Sequence, residues 1–136
     1  MKIKAIITTV LVALIAGGGV TAQTPGKGDV FVPISKYLGQ GDVQSLSAWF
    51  ADNLEISIIS STNDTSKKQA RQILKNFFEQ HTPRSFTVTH QTDSANMKYA
   101  LGTLTAGGEL YQVTIFLYLK GDAYQIQQLK IERSTY

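Results

Sequence analysis

Cysteine is missing from all 136 residues, which excludes disulfides, thiolate metal ligands, cysteine nucleophiles and lipid attachment through an N-terminal cysteine. Histidine is scarce as well. His81 and His90 stand nine positions apart on different expected elements, a poor arrangement for a metal centre. No glycine-rich phosphate loop, nucleophile elbow or HExxH string occurs, and Ser and Thr, though plentiful, have no recognisable base partner. No cofactor is expected. Runs of one charge are also lacking: Lys67-Lys68 is the longest stretch of Lys and Arg, and this gives no electrostatic footprint for nucleic acid or anionic lipid. The one long apolar run, Ala5 to Ala16, is about a dozen residues, short of the roughly 20 needed to cross a bilayer as a helix.

That run does resemble the core of an export signal. Lys2 and Lys4 supply a positive start, and Val20-Thr21-Ala22 places small residues where a signal peptidase would cut. The expectation is a signal over residues 1–22 cleaved after Ala22, giving a periplasmic or secreted protein with no permanent membrane anchor. The chain from Gln23 onward keeps 11 Lys plus Arg against 10 Asp plus Glu, a formal charge of +1. Residues 23–29 are rich in small residues, Pro and Gly and read as a flexible leader. Residues 30–136 then suit a single domain with one core.

Hydrophobic spacing gives the elements. Pro33 suits the first turn of a helix to about Leu38, with Gly39 ending it. Asp42 is placed to cap a helix over Val43 to Ala51, in which Val43, Leu46, Trp49 and Phe50 form an inward stripe and Asn53 closes the segment. Leu54, Ile56 and Ile58 alternate with polar residues as a half-buried strand, and the polar stretch Ser60 to Thr65 breaks it. Thr65 or Ser66 caps the clearest helix, where Ala70, Ile73, Leu74, Phe77 and Phe78 share one side and Thr82-Pro83 stops the run. Four antiparallel strands follow, with turns at Asp93-Ser94, Gly107-Gly108 and Gly121-Asp122. Phe86, Val88 and His90 share a face of the first; Met97, Tyr99 and Leu101 share a face of the second. Tyr111 to Leu119 is the longest and reads as central, with Phe116 and Tyr118 making its second face apolar, so that both sides are expected to be covered. In the last strand, Tyr124 and Ile126 are out of phase with Leu129 and Ile131, and a β-bulge near Gln127 or Gln128 reconciles them.

The layout is α+β: a strongly curved antiparallel sheet wrapped around a long helix, with short helices at the N-terminal side. This order resembles the nuclear-transport-factor-two-like, or cystatin-like, cone over roughly Val30 to Glu132. The strings Phe31-Val32-Pro33-Ile34, Gly41-Asp42, Leu46 to Phe50, Phe77-Phe78, Phe86 to His90, Tyr99 to Gly102 and Gln127 to Glu132 are similar to those of a family of small exported bacterial proteins of unknown function. The resemblance implies fold and localisation. Members of the wider superfamily include isomerases, dehydratases, binders of apolar ligands and dimerising domains, and shared fold does not choose among them.

Within that shape a few side chains could carry chemistry. His90 and Tyr99, meeting across a hairpin inside the cone, would be the pair for acid or base work; the plainer reading puts His90 near a strand end, bonded to backbone or water. Glu55 and Glu132 point outward and offer no carboxylate base, and His81 is read as a donor near a helix C-terminus. If the cone is unfilled, His90, Tyr99, Trp49, Phe77 and Tyr111 line an apolar ligand pocket; if it is filled, the aromatics are core. Phe116 and Tyr118 are the candidate surface for a homodimer. Asp93-Ser94-Ala95 resembles a short bacterial O-glycosylation pattern in a turn. The leading expectation is a non-enzymatic module that binds a small apolar ligand or an envelope protein. An isomerase-like or dehydratase-like enzyme using His90 and Tyr99, and a homodimerising structural module, are the alternatives.

Overall fold

The computed structural model describes residues 29–134; the expected signal, its cleavage point and most of the leader lie outside them. The unit that begins at Phe31 runs α1 (Phe31–Gln40), α2 (Val43–Ser47), β1 (Phe50–Ile58), β2 (Ser61–Ser66), α3 (Lys67–Gln80), β3 (Pro83–Asp93), β4 (Met97–Ala106), β5 (Glu109–Lys120) and β6 (Ala123–Arg133).

Helix α1 turns Phe31, Ile34 and Leu38 into the core, at 2%, 0% and 0% exposure. Gly41 follows with φ of +69°, against Pro83, and reverses the chain. Asp42 then caps α2, its Oδ1 accepting from the Ser45 N–H at 3.1 Å, as expected from the sequence. The helix is shorter than the apolar spacing predicts: it ends at Ser47, and Trp49 is half-buried rather than part of an inward helical stripe. The cause is tertiary. Phe50 lies opposite Ile126 in the ladder to β6, and the Trp49 carbonyl accepts from the Ile126 N–H. Sheet pairing therefore captures residues whose spacing alone also fits a helix, and Asn53 sits within a strand instead of closing a helix.

A second departure is β2. The polar stretch expected as a break pairs antiparallel with β1 from Asn53–Ser66 to Ile58–Ser61. Ile59, at φ of +55°, makes the tight reversal. An edge strand with one neighbour bonds through backbone and needs no apolar alternation; its Thr62 hydroxyl meets Ser57 Oγ at 3.0 Å. Helix α3 starts with a reciprocal capping box: the Gln69 N–H donates to Ser66 Oγ at 3.2 Å and the Ser66 N–H to Gln69 Oε1 at 3.5 Å. It buries Ala70, Leu74, Phe77 and Phe78.

The six strands form one open sheet in the order β2-β1-β6-β5-β4-β3. Every pair is antiparallel except β1 with β6, which runs parallel. The helices cover one face. There Ala100, Leu104, Val113, Ile115, Leu117, Ile126, Leu129 and Ile131 are all at 0% exposure, each fully buried large aliphatic contributing about 1.5–3 kcal/mol. Gly102, on the same face, admits the ring of Phe86.

Four register shifts interrupt the ladders, at Phe50/Glu55, Pro83/Ser85, Val88/His90 and Phe116/Leu117, and the last two set the facing of the candidate residues. In β6, Gln128 pairs with Phe116 and Ile126 with Leu117, so Gln127 is the extra residue and Ile126, Leu129 and Ile131 all point inward, as the sequence predicts. In β3, Val88 pairs with Gly102 and His90 with Leu101, leaving Thr89 over. This bulge is absent from the sequence reading. It bends the edge strand and reverses the facing of everything beyond it.

Candidate functional site

The β3 bulge decides where the nominated His/Tyr pair lies. Phe86 and Val88 face the core, but the extra Thr89 rotates His90 to the opposite, outer face, where it is exposed. Tyr99 is on that face too: the buried residues of β4 are Ala100, Gly102, Leu104 and Ala106, the phase opposite to the one expected. The meeting of the two rings is real, with centroids 6.3 Å apart and edge-on. Its setting is not the interior of the cone. Tyr99 packs in turn on Phe116, its ladder partner, at 4.7 Å, and His90 Nε2 lies 3.3 Å from Thr92 Oγ1.

This row continues across the sheet. Phe116 pairs with Gln128, whose Nε2 donates to Glu55 Oε2 at 2.7 Å, so Glu55 faces outward as the alternation of its strand implies. Tyr118 and Leu110, also on the outer phase of β5, are each 47% exposed. Among the described residues no helix packs here, so the second face of β5 is uncovered where a cover was expected. Beside Tyr118, its ladder partner Gln125 holds a side-chain oxygen, Oε1, that is buried without a hydrogen bond.

The other nominated pocket residues lie elsewhere. Tyr111 is at 0% exposure at one end of the inner face, its ring edge-on to Phe77 at 5.4 Å and to His81 at 5.9 Å. The Tyr111 hydroxyl donates to Glu109 Oε1 at 3.3 Å, and Arg133 donates to the same oxygen. Burial, reinforced by the Glu109 charge, pushes the Tyr111 phenol above its ordinary value. His81 ends α3, stacks on Phe77 at 4.5 Å and donates from Nδ1 to the Phe77 carbonyl at 3.0 Å, the helix-end role read from the sequence. Thus His90 with Tyr99, Phe77 with Tyr111, and Trp49 form three separate groups rather than the lining of one pocket.

Local sequence spacing does not announce the Glu109–Arg133 pair. Counting back from the Gly121 turn through the Gln127 bulge would have placed Arg133 opposite Tyr111, which is the register observed. Two surface clefts also occur, of about 580 Å³ and about 540 Å³, the first between the α1–α2 junction and α3, the second beside β1 and β2. None of the five nominated pocket residues lines either one.

A curved six-stranded sheet holding a long helix, with two short helices preceding it, defines the nuclear-transport-factor-two-like, cystatin-like class of domain. Within that class the match is to a family described as a domain of unknown function (DUF4783), whose model covers residues 31–132, and the chain belongs to that family. Among solved structures it is similar to a DUF4783 family protein from Bacteroides uniformis, with TM-score 0.76 and 22% identity over 79% of this chain and 100% of that one. It is similar to one from Bacteroides ovatus, with TM-score 0.72 and 22% identity over 76% and 94%. A protein of unknown function from Cytophaga hutchinsonii, described as NTF2-like, shares the fold at TM-score 0.60 and 9% identity over 83% and 93%. No curated protein matches the chain.

Proposed function

We propose that this chain is an exported, non-enzymatic protein-association module that binds its partner through the outer face of the sheet. One observation carries the reading: His90, Tyr99, Phe116 and Tyr118 gather on a face that no described helix covers. Clustered aromatics at an accessible surface are the common anchors of protein interfaces. A small apolar ligand is the weaker version, because the inner face is occupied by side chains at zero exposure.

The same geometry favours binding over catalysis. Proton transfer calls for a group held in a water-poor site, and His90 lies exposed beside Thr92. The test is photo-cross-linking in the producing cell, with a photoreactive phenylalanine analogue at Tyr118 or, as a control, at Val32, which is 66% exposed on α1. A defined cross-linked product from position 118 alone is expected; equal products from both positions, or none from 118 in folded protein, overturn the reading. Sedimentation velocity then tells a second copy of the chain from a different envelope protein. Mass spectrometry of the mature N-terminus checks export, a start at Gln23 being expected.

A further inference from the structure

An aspartate followed directly by a hydroxyl residue occurs twice in the chain, as Asp64-Thr65 and Asp93-Ser94, and the fold treats the two in opposite ways. Thr65 lies within β2 opposite Leu54 of β1, is 7% exposed, and gives its hydroxyl to the Ser66 carbonyl at 2.7 Å. Ser94 begins the β3–β4 turn. It is exposed, as is every residue from 91 to 96, and its hydroxyl makes no hydrogen bond among the described residues. Ala95 follows and completes the short pattern that resembles a bacterial O-glycosylation signal; Thr65 is followed by Ser66 instead. Nearby hydroxyls of β3 are engaged, Thr89 with the Leu101 carbonyl and Thr92 with His90 Nε2, each at 3.3 Å.

Exposure alone does not single out a serine, but this turn is also braced from three strands. The Ser94 N–H donates to the Met97 carbonyl of β4 at 2.8 Å, and the Leu119 N–H of β5 donates to the Asn96 carbonyl at 2.8 Å. From β6, the Tyr124 hydroxyl donates to the Ala95 carbonyl at 3.1 Å. The Lys98 ammonium donates to Asp93 Oδ2 at 3.1 Å and lies 4.9 Å from the centre of the Tyr124 ring, its side chain only 15% exposed. The residues on either side of Ser94 are thus committed, and its own hydroxyl is left over. There is also space beside it. In the adjoining β5–β6 turn a β-carbon added at Gly121 would meet nothing within 4 Å, the kind of open surface that a bulky saccharide needs.

We propose that Ser94 is an O-glycosylation site, accepting an oligosaccharide on Oγ from a polyprenyl-diphosphate-linked donor after export. The bond between the anomeric carbon of the sugar and the diphosphate oxygen of its carrier breaks, and the anomeric carbon bonds to Ser94 Oγ. The hydroxyl proton passes to a base of the transferase. Polyprenyl diphosphate departs with the electron pair of the broken bond, and nothing is oxidised or reduced. The turn suits the part of acceptor for two reasons. A hydroxyl not tied into an internal bond is free to give its proton to that base. A backbone already braced needs little further ordering when the transferase takes hold of it, which lowers the entropic cost of binding. Thr65 offers neither an accessible nor an unengaged hydroxyl.

The site rests on the export reading, since the donor is used outside the cytoplasm, and not on association through the outer sheet face. The experiment is mass spectrometry of the full chain purified from the cell that produces it, with fragmentation that keeps side-chain substituents in place. Expected is a tryptic peptide from Ser85 to Lys98 heavier by whole sugar residues, with the added mass on Ser94, in a chain that has lost its N-terminal signal. Ser94→Ala should lose that mass and Ser94→Thr should keep it, both with the circular dichroism of the parent. An unmodified Ser94 in a processed chain overturns the site and leaves export standing. A chain that still begins at Met1, with Ser94 bare, overturns both. Sugar on Thr87, Thr89 or Thr92 of the same peptide in place of Ser94, or a mass excess that survives Ser94→Ala, also overturns the assignment.

Discussion

The ring of Phe86 lies directly on Gly102 across the β3–β4 pair, close enough that a β-carbon at residue 102 would collide with the ring and stand 2.7 Å from the Thr87 carbonyl oxygen. Glycine is required here by space, since Gly102 is not among the residues with positive φ. Gly102→Ala should therefore cost about 1–3 kcal/mol through overpacking. Chemical denaturation of the variant, and of Gly102→Ala combined with Phe86→Leu, checks it: the second change should restore part of the loss.

Phe50 begins β1 fully buried, opposite Ile126, while its neighbour Trp49 is half-buried. Phe50→Ala should cost about 3–5 kcal/mol, the range for removing a core phenylalanine. Trp49→Ala should cost clearly less. Paired denaturation curves decide, and a larger loss at Trp49 would contradict the strand assignment of this segment.

Ser66 and Gln69 satisfy each other's backbone donors at the start of α3. Ser66→Ala should lower stability by about 1 kcal/mol and Ser66→Asp by much less, because the aspartate can still accept from the Gln69 N–H. Equal losses in the two variants would show that the hydroxyl acts in some other way.

Tyr111 supplies a pH dependence. Its phenol is raised in the fold by burial first and by Glu109 second, so the folded state holds the proton more tightly than the unfolded chain, whose tyrosines titrate near pH 10. Below that value the contribution is fully present. As the pH climbs past it the unfolded state sheds protons first, and stability falls until the folded phenol also ionises. Tyr111→Phe should flatten this alkaline decline while costing about 1 kcal/mol at neutral pH for the lost bond to Glu109. Thermal unfolding from pH 8 to 11 measures both.

Much of the fold was legible because helices and strands write different periods. The α3 stripe, the Asp42 and Ser66 caps, the glycine turns and the Gln127 bulge all follow from local rules, and the bulge was readable because Ile126 and Leu129 fall out of phase. The Thr89 bulge leaves no such mark: polar residues follow it, so nothing in the pattern betrays the change of face, and His90 was placed with Val88. Likewise β2 has no apolar alternation to show, and the helical spacing of Trp49 and Phe50 conceals a strand start that only the distant β6 dictates. The bulge accounts for His90, whose facing past an unsignalled extra residue is a tertiary property; Tyr99 is outside because β4 buries Ala100, Gly102 and Leu104, a choice of phase that its mixed apolar residues leave open.

The parallel pairing of β1 with β6 joins positions such as Ile58 and Ile131, 73 residues apart in the chain. Neither strand of that pair can be seated by a local hairpin alone. A nascent chain that has not yet yielded β6 would hold β1 and β2 as a stranded hairpin, cut off from the β3–β5 meander by the missing middle strand. Closure of long loops slows folding, and here β6, lying between β1 and β5, is the keystone of the sheet. A chain ending before Ala123 should thus be no shortened version of this domain but two unconnected fragments of sheet, open to proteases along newly bared edges.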